Sequence, residues 1–329
     1  MKAFHQLTPA GRTRRLRRLA LNALAQYDLE TARVDLITND TNAVYRVTTR
    51  AGERWVLRVT APEGGHSADH LTAEMDWLLA LARDTNLRVP HPLAARSGER
   101  VLRAAAPGVP EERFCAVFSW LPGTNLAAQL SQPNVARLGE LSACLHEHAR
   151  GYLPPAGLDL LVFDRPLPFP EPVILFEPAA AGLFSDQQQA LFAHWYARIQ
   201  AVLARLAAGG DAPRILHGDL HPWNVRIQAG VLAPFDFEDL MWGWPVQDIA
   251  TSLYYFIDRP DFAQLRAAFE TGYRRTAGWP ERAEGEINTF IAARGIGLLN
   301  LVLHFGELWQ IAPQEFATRI EKRLLKLSG

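Results

Sequence analysis

The second half of the chain contains two acids and an amide whose types and spacing suit phosphoryl transfer. Asp219 lies in the segment H-G-D-L-H-P-W-N at 217–224, five residues before Asn224, and Asp236 follows Asn224 by twelve. In such a transfer, one carboxylate orients the acceptor hydroxyl and takes its proton. An amide oxygen and a second carboxylate are hard ligands that hold Mg²⁺ on the nucleotide phosphates. The sequence therefore predicts a phosphoryl-transfer centre around Asp219.

The residues between Asn224 and Asp236 have the pattern of a β-hairpin. Two apolar runs, V-R-I and V-L-A-P-F, flank a glycine-containing turn at 228–230. A hairpin brings its two ends together, so we expect Asn224 and Asp236 to lie close to each other.

The order of these residues resembles the catalytic segment of protein kinases, H-R-D-x-x-x-x-N followed by D-F-G. Gly218 stands in place of the arginine, and D-F-E at 236–238 stands in place of D-F-G. With these departures the chain is similar to the aminoglycoside phosphotransferase family. The segment P-V-Q-D-I-A at 245–250 looks most like the stress-response and type II homoserine kinase branches of that group. The resemblance extends over roughly residues 30–310.

This resemblance implies an ATP- and Mg²⁺-dependent phosphotransferase that acts on an alcohol hydroxyl of a small molecule. It implies that Asp219 orients the hydroxyl, that Asn224, Asp236 and Glu238 bind Mg²⁺, and that Asp248 hydrogen-bonds the catalytic loop. A Ser/Thr protein kinase of the stress-response type shares the same centre and stays open as an alternative. A nucleotide-binding pseudokinase or scaffold is a third possibility.

Two histidines flank the predicted base. His217 and His221 suggest a metal pair, but the neighbouring acids and amide suit Mg²⁺ better than zinc. We therefore expect both imidazoles to brace the catalytic loop through hydrogen bonds.

The resemblance implies an α+β, protein kinase-like two-lobed fold. A small antiparallel-sheet N-lobe is expected over residues 1–118 and a mostly helical C-lobe over 119–329. Five N-lobe strands are predicted at 34–37, 44–49, 54–59, 101–104 and 114–120. Helices are predicted at 67–83 and 134–148 and over most of 262–327.

Arg58 takes the place of the phosphate-pairing lysine of kinases on the third predicted strand. The resemblance implies that Arg58 contacts the nucleotide phosphates and pairs with Glu74 on the following helix. Arg58 also shares a strand face with Arg54, so a solvent-facing position is the alternative. This replacement and the missing Gly-rich loop motivate the pseudokinase hypothesis.

Two further segments are expected to bind the nucleotide. The turn between the first two strands contains Asn39 and Asn42, whose backbone N–H groups could cradle phosphate oxygens, although an ordinary hairpin turn fits equally well. By resemblance, Ser119, Trp120 and Leu121 form the hinge that meets the adenine edge. A plain connecting loop is the alternative at the hinge.

Composition narrows the class of protein. Hydrophobic content of 48%, charged content of 21% and a net charge of −1 are typical of soluble proteins without general affinity for nucleic acid or anionic membranes. The arginine-rich segment at 14–18 is predicted to belong to an amphipathic helix rather than an export signal. No stretch is expected to span a membrane. Cys115 and Cys144 are expected to be buried free thiols, which indicates a cytoplasmic protein.

Overall fold

The computed structural model describes residues 3–39, 41–61 and 67–328. It divides into two compact units. The first comprises Met1–Pro122 and Pro154–Asp159, and the second comprises Gly123–Leu153 and Leu160–Gly329.

Within its described residues, the first unit has one antiparallel sheet of six strands in the order β1-β2-β3-β6-β4, with β5 also paired to β6. The strands are β1 Thr31–Asn39, β2 Ala43–Thr49, β3 Arg54–Val59, β4 Pro92–Leu93, β5 Leu102–Ala104 and β6 Arg113–Ser119. The prediction of five strands was therefore one too few. Strand β4 is only two residues long, which is too short to produce a readable alternation of apolar and polar residues.

Helix α1, Pro9–Leu24, covers one face of this sheet. Its N-cap Thr8 accepts a hydrogen bond from the Gly11 amide, and its arginines leave one apolar face to pack on the strands. The buried residues of that face are Leu16, Leu19, Ala20, Ala23 and Leu24. The predicted amphipathic helix is confirmed.

Helix α2, Ala68–Asp84, matches the helix predicted at 67–83. Ser67 caps it by accepting a hydrogen bond from the His70 amide. Its buried face includes Leu71, Met75 and Leu78, and it also contains Glu74.

The second unit is mostly helical. Its helices are α3 Gln132–Gly151, α4 Pro178–Ala181, α5 Asp186–Ala208, α6 Pro245–Tyr254, α7 Phe262–Tyr273, α8 Glu286–Trp309 and α9 Pro313–Leu327. Its short strands are β7 Thr124–Asn125, β8 Arg214–Leu216, β9 Val225–Gln228, β10 Val231–Pro234 and β11 Met241–Gly243. They pair as β10-β9-β7 and β11-β8.

The backbones of α3 and α7 touch where they cross. A Cβ atom at Gly272 would lie 1.7 Å from the Ala136 carbonyl oxygen, so only glycine allows this approach. The close crossing brings Tyr273 at the end of α7 within hydrogen-bond distance of His146 on α3.

Helix α8 is long and apolar. Among the described residues, Glu286–Glu307 is the one helical stretch with the length and composition to cross a membrane, and the sequence prediction did not identify it. However, 67% of its most apolar window is buried within the protein, as in the core helix of a soluble protein. The sequence prediction missed it because Asn300, His304 and Arg294 interrupt the apolar run.

Candidate active site

The carboxylate of Asp219 lies at the centre of a hydrogen-bonded cluster after β8. Its Oδ2 atom accepts a hydrogen bond from Asn224 Nδ2 at 3.1 Å and lies 3.3 Å from His221 Nε2. Its Oδ1 atom accepts a hydrogen bond from Arg294 Nη2. The Asp219 side chain remains 17% exposed. A carboxylate offers about four acceptor positions, so a substrate hydroxyl can still donate to it.

Both histidines of the loop act as braces. His221 Nδ1 accepts from the Asn224 amide at 3.2 Å, which places the proton of the neutral ring on Nε2, facing Asp219. His217 Nδ1 faces the Asp219 amide at 3.4 Å, and its Nε2 atom donates to the Phe235 carbonyl at 3.2 Å. Burial lowers the pKa of His217 and favours this neutral form. The predicted bracing role is confirmed.

The carboxylate of Asp248 holds the first residues of the catalytic loop through two hydrogen bonds. Its Oδ1 atom accepts from the Gly218 amide at 3.0 Å and its Oδ2 atom from the His217 amide at 3.1 Å. The predicted contact between Asp248 and the catalytic loop is therefore present. Although burial raises its pKa, the hydrogen bond from His146 and the neighbouring histidines lower it overall. Asp248 is thus a buried anion held by several donors.

The backbone at Gly218 explains why this chain has no arginine there. Gly218 has a φ of +81°, and a Cβ atom would lie 2.0 Å from the Asp239 carbonyl oxygen. Both the left-handed conformation and the close approach exclude a side chain. The glycine therefore sets the path of the loop just before Asp219.

The hairpin predicted between Asn224 and Asp236 is confirmed. Strands β9 and β10 pair with Pro234 opposite Val225, and the Phe235 amide donates to the Asn224 carbonyl at 2.9 Å. Phe235 is therefore hydrogen-bonded to Asn224, and Asp236 is the next residue along the chain. Asp236 itself has a φ of +67°, a conformation that non-glycine residues adopt rarely and often at functional sites.

The Asn224 amide is oriented suitably for a cation. Its Nδ2 atom donates to both the backbone carbonyl and the carboxylate of Asp219, so its Oδ1 atom points away from Asp219. Glu238 is buried two residues after Asp236. The donor set therefore fits Mg²⁺, which prefers a few oxygen ligands. Among the described residues there is no cluster of three or more His, Cys, Asp or Glu side chains that could hold a metal ion by itself.

Sequence reasoning missed Arg294. Burial alone would raise the pKa of Asp219, but Arg294 and the two histidines lower it to about 2. Arg294 Nη2 also donates to the Tyr255 hydroxyl at 3.0 Å. The signal for this residue was a single arginine in the otherwise uncharged interior of α8. A charge inside an apolar helix is expected to have a partner.

The first unit contains the predicted ion pair. Arg58 donates to Glu74 through both terminal nitrogens, with Nη1 at 3.0 Å from Oε1. The two side chains are only 6% and 2% exposed. This geometry removes the solvent-facing alternative for Arg58, whereas Arg54 is exposed.

The other predicted nucleotide contacts are more mixed. The Asn42 side chain accepts a hydrogen bond from the Ala61 amide, so it braces the end of β3. Asn39 is exposed at the end of β1. Asp40, in the same turn, lies outside the described residues.

At the predicted hinge, two of the three amides are already used. The Ser119 amide donates to the His91 carbonyl at 2.9 Å, and the Trp120 amide donates to the Arg54 carbonyl at 3.3 Å. Within the described residues, the Leu121 amide has no such backbone acceptor. Of the three amides at the predicted hinge, the Leu121 amide is therefore the one that these contacts leave for a ligand.

The chain is similar in sequence to known proteins. A model of the phosphotransferase enzyme family matches residues 36–284. Amicoumacin kinase of Bacillus subtilis (strain 168) is 24% identical over 233 residues, which cover 70% of this chain and 66% of that protein. The chain thus spans slightly less than two thirds of that relative's length.

Two solved structures share the fold. The microcompartment-associated aminopropanol kinase has a TM-score of 0.74 at 22% identity and covers 94% of both chains. The amicoumacin kinase hAmiN, in complex with AMP-PNP, Ca²⁺ and Ami, has a TM-score of 0.76 at 18% identity and covers 96% of both chains. These likenesses confirm the predicted α+β, protein kinase-like fold.

Proposed function

Because the chain belongs to the phosphotransferase enzyme family, we propose that it transfers the γ-phosphate of ATP to an alcohol hydroxyl of a small molecule. The observation that carries this proposal is the arrangement of Asp219 and Asn224. Asp219 has a free acceptor position beside its bracing donors, and the Asn224 amide oxygen points away from it. Phosphoryl transfer requires one group that orients the acceptor hydroxyl and another that binds the metal ion on the phosphates.

Asp219 is the residue that orients the acceptor hydroxyl and finally receives its proton. Little deprotonation is needed early, because the transition state of phosphoryl transfer is loose. The low pKa of Asp219 keeps it ionised and able to accept the hydrogen bond. Gly218 and Asp248 hold the loop in the geometry that this contact needs.

Asn224, Asp236 and Glu238 are the residues that would hold Mg²⁺. When bound, the ion neutralises charge on the nucleotide phosphates. The chain's own contribution is to fix Asn224 through its amide hydrogen bonds and to fix Asp236 at the end of the hairpin.

The first unit would bind ATP. We assign Arg58, positioned by Glu74, to the α- and β-phosphates and the Leu121 amide to the adenine edge. The turn around Asn39 and Asn42 is assigned to phosphate oxygens through its backbone. A complete, buried ion pair supports an active kinase over the pseudokinase alternative. A reducing, cytoplasmic location fits two free cysteines.

Small molecules are the favoured acceptors over protein Ser/Thr residues. The relatives above are named as kinases of amicoumacin and of aminopropanol. Those substrates belong to those proteins, and they support only the general class here.

The test compares the wild type with Asp219→Asn. Phosphate transfer from labelled ATP with Mg²⁺ is measured over amino-alcohols, aminoglycosides, sugars, hydroxy acids and an unstructured Ser/Thr-rich protein. Asp219→Asn should lower kcat by about 10²–10⁴-fold and leave AMP-PNP binding nearly unchanged. Equal turnover by the two proteins would contradict the role of Asp219. Transfer confined to the protein acceptor would favour the Ser/Thr kinase alternative.

A further inference from the structure

Arg294 has more hydrogen-bond capacity than the structure uses. A guanidinium carries five N–H donors. The observed bonds all come from Nη2, which donates to Asp219 and to the Tyr255 hydroxyl. Its Nε atom is buried and has no partner among the described residues. Nη1 makes no hydrogen bond among the described residues and, unlike Nε, is not enclosed by protein atoms, so it can donate to a ligand oxygen.

Arg294 also lines a small cavity. Its volume is about 20 Å³, which is room for roughly one water molecule or one small ligand group. Thr251 and Arg294 are its polar side chains, and Phe163, Phe169 and Phe290 form much of the rest. A bulky, multiply charged ring system does not suit such a wall.

The two oxygens of Asp219 have different partners. Oδ2 faces Asn224, the assigned metal ligand, whereas Oδ1 faces Arg294. Arg294 therefore contacts the carboxylate oxygen of Asp219 that Asn224 does not contact. A group that meets Arg294 and also reaches Asp219 belongs to the phosphate acceptor.

We propose that Arg294 determines acceptor specificity by donating to a carbonyl or carboxylate oxygen next to the reacting hydroxyl. The acceptor class is then hydroxy acids and hydroxy amides rather than simple amino alcohols. This rests on the proposed function. In the reaction, the hydroxyl oxygen forms the new bond to phosphorus, the bond to ADP breaks, and the hydroxyl proton leaves through Asp219.

Electrostatics favours this class. A guanidinium in a partly desolvated site repels an ammonium group placed beside it and attracts a carboxylate or a carbonyl dipole. A planar carboxylate also matches the fork of the guanidinium edge. Simple amino alcohols offer Arg294 only a cation, so their hydroxyl reaches Asp219 without this contact.

The test uses acceptors of equal carbon number: 3-hydroxypropionate, 3-hydroxypropionamide, 1,3-propanediol and 3-aminopropanol. ADP formation gives kcat/KM for the wild type, Arg294→Lys and Arg294→Met. Dividing kcat/KM for 3-hydroxypropionate by kcat/KM for 1,3-propanediol cancels any general effect of the substitution on Asp219. We expect Arg294→Met to lower this ratio by about 10- to 100-fold, and Arg294→Lys to lower it less. Arg323→Met is the control. It removes an arginine of α9 that pairs with Asp258, and it should keep the wild-type ratio of the two kcat/KM values.

The outcomes separate the two proposals. An unchanged ratio in Arg294→Met, with transfer to the diol, overturns the acceptor inference and leaves the phosphotransferase intact. Equal losses for all four acceptors and for ATP hydrolysis assign Arg294 to Asp219 or to the phosphoryl group, and also overturn it. A wild-type protein that prefers 3-aminopropanol to 3-hydroxypropionate also overturns the acceptor inference. Absence of wild-type transfer to all four compounds overturns the acceptor inference, whereas the phosphotransferase proposal is decided by the wider acceptor panel with Asp219→Asn.

Discussion

His146 hydrogen-bonds Asp248 through Nε2 at 3.2 Å, and both side chains are almost fully buried. On its other side, His146 Nδ1 lies 2.9 Å from the Tyr273 hydroxyl. Asp248 in turn accepts from the backbone of the catalytic loop. A buried chain therefore connects α7, α3 and α6 to the residue that precedes Asp219.

We expect His146→Leu to weaken both stability and activity. The substitution leaves a buried carboxylate with one donor fewer, so the free energy of unfolding should fall by about 1–3 kcal/mol. Tyr273→Phe removes only the outer hydrogen bond and should cost about 0.5–1.5 kcal/mol. Urea denaturation measures both, and kcat should fall with little change in KM for ATP.

His148→Leu is the matched control, because His148 lies on the same helix and is half-buried. Its effect should stay within about 0.5 kcal/mol. An unaltered urea midpoint for His146→Leu, or an equal loss for His148→Leu, would show that the chain of hydrogen bonds does not hold the loop.

Gly218→Ala should inactivate the protein, whereas Gly98→Ala should not. Both glycines have positive φ, so each alanine costs about 1–2 kcal/mol of backbone strain. Only at Gly218 does the added Cβ meet a backbone carbonyl, while nothing lies within 4 Å at Gly98. Displacing the loop by about 1 Å can cost about 10²-fold in kcat. Thermal unfolding and phosphate transfer, measured on both variants, test this; similar activities would contradict it.

The catalytic loop was predictable because its residues are close in sequence. Asn224 and Asp236 flank one hairpin, and Asp219 lies five residues before Asn224. The strands β9 and β10 of this hairpin pair as the pattern indicated. In the same way, α1 and α2 followed from the periodicity of their apolar residues. Local sequence determines these features, so no knowledge of tertiary packing was needed.

The partners of this loop were not predictable, because they come from distant helices. Arg294 is 75 residues from Asp219, and His146 is 102 residues from Asp248. No spacing rule connects such pairs, which arise only from how the helices cross. The hinge shows a similar limit, since the amides of Ser119 and Trp120 are occupied by contacts with other loops and strands.

The Arg58–Glu74 pair allows structural and nucleotide-binding roles to be separated. Arg58→Met leaves a buried, unpaired carboxylate and should cost about 3–5 kcal/mol in unfolding free energy. Replacing both residues, Arg58→Met with Glu74→Leu, should cost less than Arg58→Met alone. If Arg58 binds phosphates, the folded double variant should still bind AMP-PNP more weakly than the wild type. Titration calorimetry measures this, and wild-type affinity would make the pair purely structural.

The Cys115 thiol should be unreactive in the folded protein. Burial raises its pKa to about 12, so almost no thiolate, the reactive form, exists at pH 8. Because the folded pKa lies above the unfolded value, the neutral thiol adds stability that is complete below pH 8 and is lost as pH rises towards 12. A Cys144→Ser background leaves Cys115 as the single thiol. In this variant, Ellman's reagent should label the native protein slowly, and the rate should not rise with pH between 7 and 9 as it does for an exposed thiol. Labelling in guanidinium chloride should be fast. Fast labelling of the native protein would mean that Cys115 is accessible.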